Sequence, residues 1–230
     1  MPLYRRHRIV HIHIPKTGGT AISQLFYELG DFDYGLDGWM GVVRRDGRWY
    51  EYQHLTLAEF TALSGGEFDG YRRLSVVRDP YQRVISDYRW RLALGPDNPG
   101  SIPADYDSFA QFVRSIPADL DTGWREQILE ADRSHANLLI HLRPQHHYLC
   151  GDEGRIDPSV KVVRFEDLPS AFDAALEPWG VENRGIRGPV VRDLASSFDN
   201  ETLQIVNETY RRDFEVFGYA MLSSVDGVRR

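Results

Sequence analysis

The sequence has a single cysteine, Cys150, among 230 residues, so no intrachain disulfide can form and nothing in its thiol content suggests secretion. It lacks any apolar run long enough to span a bilayer. Its N-terminal "MPLYRRHRIVHIHIPK" breaks a short apolar stretch with His11 and His13, unlike a signal peptide. It also lacks a surplus of positive charge. The net charge of -7 disfavours a broad polyanion-binding surface and leaves room only for a small local anion pocket. Internal repeats and low-complexity tracts are absent. With 42% apolar and 27% charged residues, the chain reads as an ordinary globular protein. The expectation is a cytoplasmic protein with one domain over residues 1–230, no membrane span and no nucleic-acid partner.

Three segments are short, β-branched and apolar: "RIVHIHI" (8–14), "RRLSVV" (72–77) and "VKVVRF" (160–165). Each reads as a buried strand, and each precedes a segment with helical spacing. Residues 20–30 place Ile22, Leu25, Phe26 and Leu29 on one helix face, with Gly30 as a stop. "WYEYQHL" (49–55) reads as a short strand. Thr56 with Glu59 three positions on forms a capping box that starts the next helix. Helices are also expected over 81–94, 108–116, 124–142, 166–180 and within 200–219, the last with a short tail. Alternating strands and helices predict an α/β fold: a three-layer sandwich around a central parallel sheet. Ligands of such sheets sit at the carboxyl ends of the strands.

Both unusual motifs fall at those ends. The first is "IPKTGGT" (14–20). It looks like a phosphate loop, but Lys16 precedes the glycines, whereas a Walker A loop places its lysine after them. A strand turning through this loop into a helix leaves the first helical N–H groups pointing outward, with the positive end of the dipole behind them. Gly18 and Gly19 let an oxyanion approach the backbone, Thr17 and Thr20 add hydroxyls, and Lys16 adds a charge. A tight Gly-Gly turn with a solvated lysine would give the same string. The second motif is "VVRDPYQRVISDY" (76–88). Arg78 ends the strand, and Arg83 and Ser86 share a helix face behind it. A guanidinium and a hydroxyl suit a second anion. A ligand with two separated anionic groups would bridge the two motifs.

These two segments resemble the 5′-phosphosulfate and 3′-phosphate motifs of sulfotransferases that use 3′-phosphoadenosine 5′-phosphosulfate (PAPS). "VVRFEDL" is similar to a further segment common in these enzymes, and "HLRPQHHYLC" to a stretch of the carbohydrate-directed members, the heparan and chondroitin type. The resemblance implies a P-loop NTPase-like sulfotransferase fold and PAPS as sulfuryl donor, with no metal required. It implies that Lys16 meets the bridging oxygen and that Thr17, Gly18, Gly19 and Thr20 hold the 5′-phosphate. Arg78 and Ser86 would hold the 3′-phosphate, and Phe165 would lie near the adenine. The acceptor would be a hydroxyl on a glycan or metabolite. The "RGIRGP" stretch (184–189) departs from the nucleotide-closing loop of some members.

Transfer to a hydroxyl needs a base, and histidine has a suitable ordinary pKa. His54 sits at a predicted strand end beside the same rim as Lys16, where similar enzymes place a histidine. His11 and His13 alternate with apolar residues inside a strand and read as buried, hydrogen-bonded core histidines. As a His-x-His metal pair they lack an evident third ligand. His141, Arg143 and Gln145 are candidate acceptor contacts, and Trp39, Trp49 and Tyr52 could stack on a sugar. Two other readings stay open. One is a nucleotide or sugar kinase, which needs Mg²⁺ and a lysine after the glycines. The other is a non-catalytic nucleotide- or sulfate-binding module.

Overall fold

The computed structural model describes residues 1–32, 41–45, 47–95, 108–120, 133–151, 154–183, 185–186, 193–194 and 196–226. The described residues fall into two compact units. One is drawn from 1–43, 50–78 and 145–190, the other from 44–49, 79–144 and 191–230.

The first unit holds a four-stranded sheet of β1 (Leu3–Tyr4), β2 (Ile9–Ile12), β5 (Arg72–Val77) and β6 (Val160–Arg164), in that spatial order. β2, β5 and β6 are parallel, and β1 adds an antiparallel edge. Every residue of β2 is buried, as expected of a strand covered on both faces. The register pairs Ile12 with Ser75 and Val77 with Arg164. A separate two-stranded sheet joins β3 (Val42–Arg45) to β4 (Arg48–Glu51).

α1 (Gly19–Glu28) buries Ile22, Leu25 and Phe26, the residues its spacing predicts. They meet Leu74, Val76 and Val163 of the sheet, and Phe172 and Leu176 of α7 (Ser170–Leu176), in one apolar cluster. Tyr4 stacks on Phe26 with centroids 3.6 Å apart. Emptying the Phe172 position to alanine would cost about 3–5 kcal/mol. α2 (Leu57–Ser64) starts at the expected capping box: Thr56 Oγ1 accepts from Glu59 N–H at 3.0 Å and Glu59 Oε2 from Thr56 N–H at 2.8 Å. α2 packs against the short α6 (His146–Leu149).

The second unit is helical. α3 (Pro80–Ala93) opens with Pro80 in its first turn and an Asp79 cap on Gln82 N–H at 3.0 Å. It packs on α4 (Phe109–Asp119) and α8 (Asn200–Thr209). Tyr81 anchors this packing, its ring 4.9 Å from Phe214 of α9 (Arg211–Phe217) and its hydroxyl donating to Asn207. α5 (Arg133–Leu142) completes the described helices, and no described helix is long and apolar enough to cross a membrane.

Three expectations change. The strand predicted over 49–55 ends at Glu51, and Tyr52–His54 form a 3₁₀ turn. The helix predicted over 166–180 shrinks to α7 between 3₁₀ turns at Phe165–Asp167 and Glu177–Trp179. Pro169 and Pro178 explain this, because proline lacks the N–H and turns its predecessor from the α region. The C-terminal helix breaks into α8 and α9 at Tyr210, whose φ of -109° and ψ of 20° leave the helical region. Tyr210 is buried, and its hydroxyl is tied to the Leu142 carbonyl at 2.9 Å. Of the helix expected over 124–142, residues 124–132 lie outside the described residues.

Candidate active site

Parallel pairing sets the exits of β2, β5 and β6 side by side. The segments that leave them carry residues 13–20, Arg78 and Phe165. The loop after β2 takes positive φ at two points: Lys16 has φ 68° and Gly18 φ 91°. Positive φ is ordinary for glycine but rare for lysine, and non-glycine residues held there cluster at functional sites. Thr17 is buried, and its hydroxyl donates to the Ile14 carbonyl at 2.8 Å, closing the turn. That leaves Thr20, exposed on the first turn of α1, as the hydroxyl that can reach a ligand.

The N-terminus of α1 has no acidic residue in its first turn and no side-chain cap. Such an end, with outward N–H groups beside a lysine, fits a phosphate oxyanion and would repel nothing in it. The glycines have separate reasons to be glycine. At Gly18 the dihedral demands it, and a Cβ would also lie 2.9 Å from Phe165 Cε2. At Gly19 a Cβ would lie 1.9 Å from His13 Nε2, so the space is already filled by an imidazole. The sequence pattern suggests that both glycines make room for an anion; in the structure Gly19 makes room for His13.

His13 and His54 are both buried, at 4% and 6% exposure. His54 Nδ1 lies 2.7 Å from the His13 carbonyl oxygen. A carbonyl only accepts, so Nδ1 carries the proton and the ring's lone pair sits on Nε2. Glu51 Oε1 is 3.7 Å from that Nε2, placed to favour the positive ring that forms when a proton arrives. The His13 ring stands edge-on to His54 at 4.5 Å and bonds Gln53 through Nδ1 at 3.2 Å. Behind it, His11 stacks at 5.2 Å and bonds Tyr4 OH through Nδ1 at 3.1 Å. Burial pushes the His11 imidazole down to about 3. His11 and His13 are therefore core histidines, and His13 also touches His54, Gln53 and the space beside Gly19.

Arg78 is buried at the end of β5. Its Nη1 donates to the Lys16 carbonyl at 3.1 Å, and its guanidinium carbon lies 4.3 Å from the centre of the Phe165 ring. Its backbone is gripped by Gln145: Arg78 N–H donates to Oε1 at 2.9 Å, and Nε2 donates to the Arg78 carbonyl at 2.7 Å. Phe165 thus lies between Gly18 and Arg78.

Arg83, Ser86, His141 and Arg143 belong to the second unit. Ser86 is half-buried on α3. Arg83 donates through Nη2 to the His141 carbonyl at 2.5 Å. His141 stacks on Trp90 at 4.6 Å and bonds Asp87 through Nδ1 at 2.7 Å. Arg91 Nε also donates to Asp87, at 2.9 Å. Burial opposes the charge on Asp87, yet Arg91 and His141 outweigh it and hold its carboxyl well below the usual range. His141, Arg143 and Gln145, expected as acceptor contacts, are all buried, and Gln145 has 0% exposure with its amide on the Arg78 backbone. Trp39, residues 96–106 and most of 184–189 lie outside the described residues.

Sequence reasoning missed Gln53, Asp87 and the grip of Gln145. Nothing in the local pattern at these positions differs from an ordinary helix or turn, and their partners are distant in sequence. Among known proteins, the family described as "Sulfotransferase family" matches the chain over residues 3–220. No curated protein and no solved structure matches it.

Proposed function

This chain belongs to the sulfotransferase family, and we propose that it moves the sulfuryl group of PAPS to a hydroxyl of an acceptor, a carbohydrate by the character of its "HLRPQHHYLC" segment, with His54 as base. When bound, PAPS supplies a sulfuryl group on a phosphate leaving group. The observation that carries the reading is the gathering of three things in one unit. They are an uncapped helix N-terminus behind Lys16, Arg78 one strand away, and a histidine whose tautomer leaves Nε2 basic.

The N–H groups of Gly19 and Thr20 and the Thr20 hydroxyl hold the 5′-phosphate, with the helix dipole behind them. Lys16 neutralises charge on the departing phosphate oxygen. Arg78 meets the 3′-phosphate, and Phe165 offers a face to the adenine. His54 Nε2 takes the proton of the acceptor hydroxyl as its oxygen bonds sulfur and the sulfur–phosphate oxygen bond breaks. Glu51 balances the charge that His54 acquires.

Calorimetry with adenosine 3′,5′-bisphosphate, set against ATP with Mg²⁺, tests the donor. The bisphosphate should bind and ATP bind weakly, whereas tight ATP binding without bisphosphate binding would select the kinase reading. Labelled PAPS offered with a panel of glycans, lipids and small alcohols tests the acceptor, and glycans should be labelled.

A further inference from the structure

The sequence makes Gln145 a candidate acceptor contact, yet its amide accepts from the Arg78 N–H and donates to the Arg78 carbonyl. The sheet explains why. The last rung of the β5–β6 ladder pairs Val77 with Arg164, and β2 stops pairing with β5 at Ser75. The next residue, Arg78, is buried and lies one position past that last rung. Buried backbone groups must find partners. The primary amide of Gln145 supplies one acceptor and one donor in the arrangement of a peptide group, as one more rung of sheet. Gln145 is itself fully buried and held at the start of α6, where its carbonyl accepts from Tyr148 N–H at 3.0 Å.

What this rung fixes is the donor side of the rim. With its backbone held, Arg78 directs its guanidinium to the Lys16 carbonyl and over Phe165. Lys16 is the residue at φ 68°, so the same guanidinium braces the strained peptide of the phosphate loop. Other amide-bearing or charged side chains fit poorly. Asparagine is one methylene too short, glutamate offers no donor to the Arg78 carbonyl, and lysine offers no acceptor.

We propose that Gln145 is a positioning residue for donor binding: by completing the sheet at Arg78 it sets that guanidinium, and through it the Lys16 loop, for the two anionic groups of the nucleotide. This rests on the donor reading above. It separates Gln145 from the acceptor, so the two Michaelis constants should respond differently to its loss.

The test uses Gln145→Met, which keeps the length without the amide, and Gln145→Glu, which keeps only the acceptor for the Arg78 N–H. Asp199→Ala, which removes the α8 cap, serves as a comparator destabilised elsewhere. Calorimetry with adenosine 3′,5′-bisphosphate should show Gln145→Met binding at least tenfold more weakly than wild type, Gln145→Glu in between, and Asp199→Ala unchanged. With a glycan acceptor in hand, the KM for PAPS should rise in step while the KM for the acceptor stays within twofold. Bisphosphate binding by Gln145→Met within twofold of wild type overturns the inference, as does an equal loss in Asp199→Ala or a rise confined to the acceptor KM. If Gln145→Met does not fold, Gln145→Glu decides: a threefold or greater loss supports the inference and unchanged binding overturns it. A wild-type chain that binds no bisphosphate overturns the donor reading itself, and this inference with it.

Discussion

Replacing Gly19 with alanine puts one methyl group where the His13 ring already stands. The added carbon would lie 1.9 Å from Nε2, 2.1 Å from Cδ2 and 2.4 Å from Cε1. Real contacts of this kind stay above 3.0 Å, so ring or helix must yield by more than an ångström. The ring has little freedom, with His11 stacked on it, His54 meeting its edge and Gln53 bonded to Nδ1. Overpacking of this sort costs roughly 1–3 kcal/mol. In a chain of this length that lowers Tm by about 2–4 °C for each kcal/mol. The diagnostic measurement is a double-mutant cycle in urea with His13→Ala. Removing the imidazole vacates the space, so Gly19→Ala should become nearly neutral in that background, a coupling of about 1–3 kcal/mol. The same displacement shifts the carbonyl that orients His54, so kcat should fall tenfold or more in Gly19→Ala, by the sensitivity of catalysis to placement. Additive energies within about 0.5 kcal/mol would refute the reasoning.

Other expectations follow from the same geometry. Lys16→Ala should bind adenosine 3′,5′-bisphosphate nearly as wild type while kcat falls about 10²–10³-fold; an unchanged kcat in a transfer assay would remove Lys16 from the chemistry. His54→Ala should lose about 10²–10⁴-fold in turnover, and unchanged turnover would assign the base elsewhere. Asp87→Asn strips the carboxylate from buried Arg91 and His141 and should cost about 3–5 kcal/mol in urea unfolding. His11, held neutral in the folded protein, takes its proton only in the unfolded chain between the usual value of 6.5 and about 3. Stability should therefore fall as pH drops below about 6.5, by roughly 1.4 kcal/mol per unit, until the folded group titrates near 3. In His11→Asn that component of the slope between pH 6.5 and 5 should vanish.

The sheet and its flanking helices were legible because their signals are local. β-branched runs mark β2, β5 and β6, and Thr56 with Glu59 marks the start of α2. The loop at Lys16 stands out as a candidate anion site because its residue types are unusual in that order. What stayed hidden depends on partners far along the chain. Gly19 looks like a ligand-facing glycine until the His13 ring is placed beside it. Gln145 looks like a surface contact until the sheet is seen to run out at Val77. The break at Tyr210 was hidden for the same reason, since its hydroxyl answers to Leu142.

The rung that Gln145 makes has a consequence for how such a chain can change over time. The chain leaves the first unit at Arg78 and returns to it at Gln145. Those two residues are fastened to each other by a pair of hydrogen bonds. The excursion between them is thus closed at its base, like a purse drawn shut. Once the base is pinned, lengthening the excursion adds little entropic cost, only about 0.6 kcal/mol per doubling of a flexible loop. A longer excursion over residues 79–144 then leaves the Arg78–Gln145 pair, and the end of β5 that it holds, where they are.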